Sequence, residues 1–205
     1  MAGTGIFGGS FDPIHEGHRK LALEAVRQLG LDRLIVIPAA NSPFKVGQKR
    51  ASDTDRLAMC RLAFTDCPVI EVSDLEIRRG GVSYTYLTLK ELAEPNEKLY
   101  LLTGADMFLT VQNWKYAPLI AQDVFIVGVC RASGGHLEGT EYEALKKHAD
   151  HLQALGFSVQ LLPFEPLPVS STEIRSRLKN NLSTEGFLSP PVRDYIFAHG
   201  LYGVK

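Results

Sequence analysis

The chain has 205 residues, 45% of them hydrophobic and 22% charged, so it can bury a core of its own and is expected to form one domain over 1–205. Its formal net charge of −1 excludes a general binder of nucleic-acid polymers, which needs a basic excess to meet a polyanion, but leaves room for a local phosphate site. There is no signal-length apolar N-terminus and no run of about 18 apolar residues, which predicts a cytoplasmic protein with no membrane partner.

The chain opens with Gly3-Thr4-Gly5-Ile6-Phe7-Gly8, which spells the dinucleotide-binding fingerprint G-x-G-x-x-G. Context rules it out, because that fingerprint needs a complete strand before its first glycine. Here Gly5-Ile6-Phe7 must itself be the strand. Helical spacing begins after Pro13, with Leu21, Ala22, Ala25, Val26 and Leu29 on one face and Gly30 suited to the C′ stop. Arg33–Pro38 carries a continuous apolar run, as a parallel strand covered on both faces does. Residues 41–48 read as polar loop with Pro43 and Lys45. Ser52 or Asp53 caps a helix to about Phe64, with Leu57, Cys60, Leu62 and Ala63 inward.

Residues 69–72 form a third strand, and the loop 78–85 opens a helix that ends before Pro95. Residues 98–103 form a fourth strand, closed by Gly104-Ala105-Asp106, and 123–130 a fifth. Residues 140–156 read as an exposed helix of mixed charge, 157–162 as a sixth strand, followed by a proline-rich connection to Pro168. Helices over Ser171–Lys179 and 192–199 complete a C-terminal helical part at 170–205, the second introduced by Pro190-Pro191 and stopped by Gly200. Strands alternating with helices predict an α/β fold, a doubly wound parallel sheet of Rossmann-like type, with ligands at the carboxyl ends of the strands. Cys60, Cys67 and Cys130 are odd in number and lack metal-ligand spacing, so reduced thiols are expected.

Three constellations carry chemistry. In Gly8-Gly9-Ser10-Phe11-Asp12-Pro13-Ile14-His15-Glu16-Gly17-His18, a strand meets a glycine turn and then a helix start. Side chains three apart share a helix face, so His15 and His18 can look at one ligand. The first helical turn offers unpaired N–H groups and a positive dipole end, an anion site that Gly8 and Gly9 let the backbone approach. A second helix start, Val169-Ser170-Ser171-Thr172-Glu173-Ile174-Arg175, fits a capping box of Ser170 with Glu173. Its crowd of hydroxyls and the two parallel donors of Arg175 also make a phosphate grip. Third, Ser83-Tyr84-Thr85 and Gln112-Asn113-Trp114-Lys115-Tyr116 place aromatics in polar surroundings, although aromatics normally serve packing. His136, His148, His151 and His199 read as structural or surface residues, with His148 and His151 on a solvated helix face.

The 8–18 stretch resembles the nucleotidyltransferase signature of two histidines separated by two residues, the second preceded by glycine. Its longer form is similar to that of the bacterial nicotinate-nucleotide adenylyltransferases. The 169–175 segment resembles the Ser-Ser-Thr-x-Ile-Arg element of the same family, and further similarity lies in Gly104-x-Asp106, in Arg56 within Asp-Arg-Leu-Ala-Met, and in the ending from Phe187 to Tyr202. Two departures stand out: Ser42-Pro43-Phe44-Lys45 where the family often has Pro-Pro-His-Lys, and Ser10 for the more usual Thr.

The resemblance implies adenylyl transfer from ATP to nicotinate mononucleotide, giving deamido-NAD and pyrophosphate. It implies ATP binding by Gly8, Gly9, Ser10, Phe11, His15, His18, Gly104, Asp106, Ser170, Ser171, Thr172 and Arg175. His18, His15 and Arg175 would steady the charge on the leaving pyrophosphate. Lys45, Tyr84, Thr85, Trp114 and Tyr116 would hold the pyridine mononucleotide. Mg²⁺ would ride on the ATP phosphates with no protein metal site, since it keeps its waters and needs few protein ligands. Other acceptors, such as nicotinamide mononucleotide, phosphopantetheine or glycerol phosphate with CTP, and a non-catalytic nucleotide sensor, stay open, as does a homo-oligomer.

Overall fold

The computed structural model describes residues 3–40, 51–121, 124–132 and 139–204. Lys45 and the rest of 41–50, together with His136, lie outside the described residues. A six-stranded sheet in the order β3-β2-β1-β4-β5-β6 forms the centre, built from β1 (Thr4–Gly9), β2 (Arg33–Pro38), β3 (Ile70–Val72), β4 (Leu99–Thr103), β5 (Val124–Arg131) and β6 (Ser158–Phe164). Every pairing is parallel, with Ile6 opposite both Ile35 and Leu101. Leu34 to Ile37 are buried without interruption, as expected of a strand covered on both faces.

The order reverses between β1 and β4. The chain runs outward through β2 and β3, then returns to lay β4 on the other side of β1. That reversal opens a crevice beyond the carboxyl ends of β1 and β4. Gly8 and Gly9 end the first of these strands and Thr103 ends the second.

The helices bury the sheet from two sides. On one side α1 (Glu16–Leu29), α2 (Asp53–Ala63), α8 (Ser171–Lys179) and α9 (Pro190–Ala198) contribute Ala22, Met59, Ile174 and Ile196 to a core that also holds Phe11 and Val36. On the other, α4 (Thr85–Leu92), α5 (Ala105–Phe108), α6 (Ala117–Ile120) and α7 (Thr140–Ala154) supply Leu89, Phe108, Ile120 and Leu145. A short α3 (Leu75–Arg79) precedes α4, and Glu76, Thr88 and Arg79 tie the two together: Thr88 donates to Glu76 at 2.7 Å and Arg79 to Thr88 at 2.9 Å. None of the helices among the described residues is long and apolar enough to cross a membrane.

All six strands and the long helices lie where periodicity predicts them. Gly30 ends α1 in the left-handed region at φ 61, as a C′ glycine does. Differences fall on short elements and on which face is inward. In α2 the buried residues are Arg56, Met59, Cys60 and Ala63, with Leu57 and Leu62 only partly covered. In α9 both prolines are inside the first turn, where a missing N–H costs nothing. His148 is not on a solvated face: it sits edge-on to the buried Phe108, ring centroids 5.7 Å apart, and burial lowers its pKa. Cys60, Cys67 and Cys130 are free and buried.

Candidate active site

The turn from β1 into α1 is packed rather than loose. Phe11 is at φ 45 and 2% exposed, Ile14 is fully buried, and the Asp12-Pro13 peptide is cis. Glycine at position 9 is required by this packing, because a Cβ there would fall 2.7 Å from the Phe11 ring. Gly8, by contrast, is exposed and a Cβ there would meet nothing within 4 Å, so the strand end faces open space. The turn presents its backbone outward while its side chains anchor it inward.

His15 is the N-cap residue of α1 in extended conformation, and its side chain makes no capping bond. The His15 and His18 rings stack with centroids 3.7 Å apart and 28° between planes, and His18 meets Phe11 edge-on at 5.1 Å. The predicted shared face is therefore real, and the rings touch. Burial holds the His15 pKa down at about 4.

That shift has a thermodynamic consequence. Between pH 6.5 and about 4 the unfolded chain binds a proton at position 15 that the folded chain excludes, so stability falls with pH across that window by roughly 3 kcal/mol. Urea unfolding of wild type and His15→Gln at pH 7 and pH 4.5 checks this. The variant is expected to lose less stability on acidification, and equal losses in the two proteins would show that His15 titrates normally.

The second helix start is bound to the first. Ser170 caps α8 by accepting from the Glu173 N–H at 3.1 Å, but the Glu173 carboxylate accepts from Arg177 at 2.9 Å instead of closing the capping box. Ser171 Oγ donates to the Pro13 carbonyl at 2.9 Å, and Arg175 donates to the Asp12 carbonyl at 2.7 Å and to Thr172 Oγ1 at 3.2 Å. Gly17 sits where the helices approach: a Cβ there would lie 3.0 Å from the His15 ring and 3.1 Å from Val169. Residues 158 or more positions apart thus meet on one loop, with His18 and Arg175 both secured to the 11–15 segment.

Asp12 is the hub beneath. It is 5% exposed, and its Oδ1 accepts from the Tyr202 hydroxyl at 2.8 Å and the Ala51 N–H at 3.1 Å. Burial, then the Asp12 charge, pushes the Tyr202 pKa upward, so the phenol stays protonated and donates. Arg56, fully buried, donates to the Ser10 carbonyl at 2.6 Å, the Ala39 carbonyl at 2.6 Å and Asp53 at 2.5 Å, joining the carboxyl ends of β1 and β2 to the start of α2. Gly104 opens α5 directly beyond β4, and Asp106 is exposed in its first turn.

The aromatic constellation gathers at the neighbouring strand end. Ser83 Oγ accepts from the Ala40 N–H at 3.1 Å, and Ala39 N–H donates to Gly9, so β2 connects this group to the turn after β1. Tyr84 occupies the N-cap position of α4 without a side-chain capping bond, followed by Thr85. Tyr116, 43% exposed and at φ 65, precedes α6, and its ring lies 5.2 Å from that of Tyr86. Trp114 is half-buried against the second core, its indole N–H donating to Thr110 at 3.3 Å. Lys115, which pattern alone does not single out, places its ammonium 4.4 Å from the centroid of the Tyr84 ring. Asp12 and Tyr202 also escape pattern reading as functional residues, since one looks like a turn former and the other like a C-terminal aromatic.

A broad shallow groove of about 920 Å³ runs elsewhere, along Leu182, Gly186, Pro190 and Phe197. Of its lining only Glu16, next to His15, adjoins the residues described above.

The cytidylyltransferase-like family profile matches residues 6–177. The chain is 39% identical over 202 residues to a "probable nicotinate-nucleotide adenylyltransferase" of Desulfitobacterium hafniense, covering 98% of this chain and 95% of that one. It is 40% identical over 202 residues to the protein of the same name from Roseiflexus sp., covering 98% of each. Among solved structures, the Plasmodium falciparum nicotinic acid mononucleotide adenylyltransferase complexed with NaAD superposes with a TM-score of 0.76 at 20% identity, over 100% of this chain and 99% of that one. At that identity the superposition speaks for the fold.

Proposed function

The chain belongs to the cytidylyltransferase-like family, and within it to the nicotinate-nucleotide adenylyltransferases; on that premise we propose how its residues divide the work of joining ATP to nicotinate mononucleotide. The reaction gives deamido-NAD and pyrophosphate. An oxygen of the mononucleotide phosphate attacks the α-phosphorus of ATP, and the bond from that phosphorus to the bridging oxygen breaks. The attacking phosphate is already ionised at neutral pH, so no covalent enzyme intermediate and no strong base is needed. Catalysis is then positioning and charge stabilisation.

The observation that carries the assignment is the bonding of α8 to the loop that starts α1, through Ser171 to Pro13 and Arg175 to Asp12. Two helix N-termini with their positive dipole ends share one loop, a suitable place for a polyphosphate. His15, His18 and Arg175 face the departing pyrophosphate. The exposed backbone at Gly8 and the half-buried Gly9, with Ser10 and Phe11, Ser170 to Thr172, and Gly104 with Asp106, receives the rest of ATP. Tyr84, Thr85, Trp114 and Tyr116 hold the pyridine ring, and Lys45 its phosphate.

Among the described residues no group of three or more His, Cys, Asp or Glu side chains is arranged to hold a metal ion. We infer that Mg²⁺ is carried on the triphosphate, where it offsets phosphate charge, because it keeps its waters and needs few protein ligands, with the protein holding the phosphates themselves. The fold serves as a single nucleotidyltransferase unit in which 170–205 completes the phosphate site. Free buried thiols and an ATP substrate agree with work in the cytoplasm.

The test is pyrophosphate release by purified protein with Mg-ATP and a panel of acceptors: nicotinate mononucleotide, nicotinamide mononucleotide, phosphopantetheine, and glycerol phosphate with CTP. Fastest turnover on nicotinate mononucleotide is expected. Preference for another acceptor overturns the substrate, and nucleotide binding without pyrophosphate release overturns the catalysis.

A further inference from the structure

Ser83-Tyr84-Thr85 and Trp114-Lys115-Tyr116 belong to different elements, and one cation joins them. The Lys115 ammonium lies 4.4 Å from the Tyr84 ring centroid and 5.2 Å from that of Tyr116. Both tyrosines occupy helix N-cap positions, Tyr84 before α4 and Tyr116 before α6. The start of α4 has no side-chain cap, so its dipole end is not answered by a local oxygen from Tyr84. A lysine stem is flexible and its ammonium compact, so the charge can move a short way onto a bound anion.

The two pyridine mononucleotides differ at one ring substituent. The acid carries a carboxylate, while the amide is neutral at the same position. We propose that Lys115 is a specificity-determining residue that favours the acid over the amide. The inference rests on the reading of Tyr84, Thr85, Trp114 and Tyr116 as the pyridine subsite, and deepens it. Its ammonium and the α4 dipole end act with the same sign on a carboxylate and offer a carboxamide much less. The cation–π contacts keep the charge at this place and leave it available to an anion. Lys115 is exposed, so its replacement leaves the core intact.

The experiment measures kcat and KM for nicotinate and nicotinamide mononucleotides, with saturating Mg-ATP, in wild type, Lys115→Met and Lys115→Arg, at low and high salt. Lys115→Met is expected to raise KM for the acid about fivefold, the scale of a solvent-screened charge pair. KM for the amide and kcat on the acid should stay within about twofold of wild type, since the carboxylate is remote from the reacting phosphates. Lys115→Arg should retain most of the acid preference, and salt should weaken that preference in wild type more than in Lys115→Met. An unchanged acid-to-amide ratio in Lys115→Met overturns the proposal and leaves the function standing. An equal rise in both KM values also overturns it, because Lys115 would then only hold the two tyrosines in place. A wild-type protein that fails to turn over nicotinate mononucleotide overturns the underlying function, a separate and recognisable result.

Discussion

His18→Ala is expected to lower turnover by about 10²–10³, the loss typical of removing one preorganised donor to developing charge. The ring is held from several sides: His15 stacks on it at 3.7 Å, Phe11 meets it edge-on at 5.1 Å, and Phe7 lies at 6.1 Å. A side chain fixed in this way needs little reorganisation when charge moves onto pyrophosphate, and that is what makes such a donor effective. If the interaction forms chiefly in the transition state, kcat and kcat/KM should fall together while KM for ATP moves little. Thermal unfolding should stay close to wild type, because Ala keeps the helix and His18 is only half-buried. Turnover within a few-fold of wild type would remove His18 from the mechanism and leave the charge to Arg175 and the backbone. His15→Ala should not add independently to His18→Ala, since stacked neighbours couple.

Most of this fold is legible from sequence because its signals are local. Leu34 to Ile37 announce a buried parallel strand by composition, and Gly30 marks a helix end because left-handed backbone favours glycine. Ser170 as a cap is equally local. The short helices Leu75–Arg79, Ala105–Phe108 and Ala117–Ile120 are not legible, since one turn gives no periodicity to detect. Tertiary contacts hold them instead: Phe108 and Ile120 are buried in the second core, and Glu76 accepts from Thr88 of α4. His148 is hidden by its charged neighbours: the helix carries lysines around it, and Phe108, arriving from α5, packs edge-on against the ring. In the candidate site, residue types were readable and connections were not. Nothing in the spacing says that Arg175 would donate to Asp12, that Tyr202 would reach the same residue, or that Lys115 would lie over Tyr84.

Arg56 carries the largest expected effect on stability. A guanidinium at 0% exposure is unusual on an 11-residue helix whose neighbours are Met59, Cys60 and Ala63, and the reason is its position beneath two strand ends. The Ser10 and Ala39 carbonyls end β1 and β2 and turn away from the ladder, and Arg56 supplies donors to both, with Asp53 balancing its charge. Its Nε is buried with no hydrogen-bond partner among the described residues, a cost that the three remaining bonds must exceed. Arg56→Ala removes all three bonds and leaves the carbonyls without donors, so a loss of about 3–5 kcal/mol is expected. At this chain length that lowers Tm by roughly 10 °C. Lysine places a compact charge there but lacks the fork that spans two carbonyls, so Arg56→Lys should fall between wild type and alanine. Because Ser10 belongs to the phosphate turn and Ala39 leads toward Ser83 through Ala40, Arg56→Lys should also raise KM for both substrates. A Tm for Arg56→Ala within about 2 °C of wild type would mean that water replaces the guanidinium at no cost. The two strand ends would then be held by the sheet alone, and the geometry of the phosphate turn would have to come from the packing of Phe11 and from Asp12.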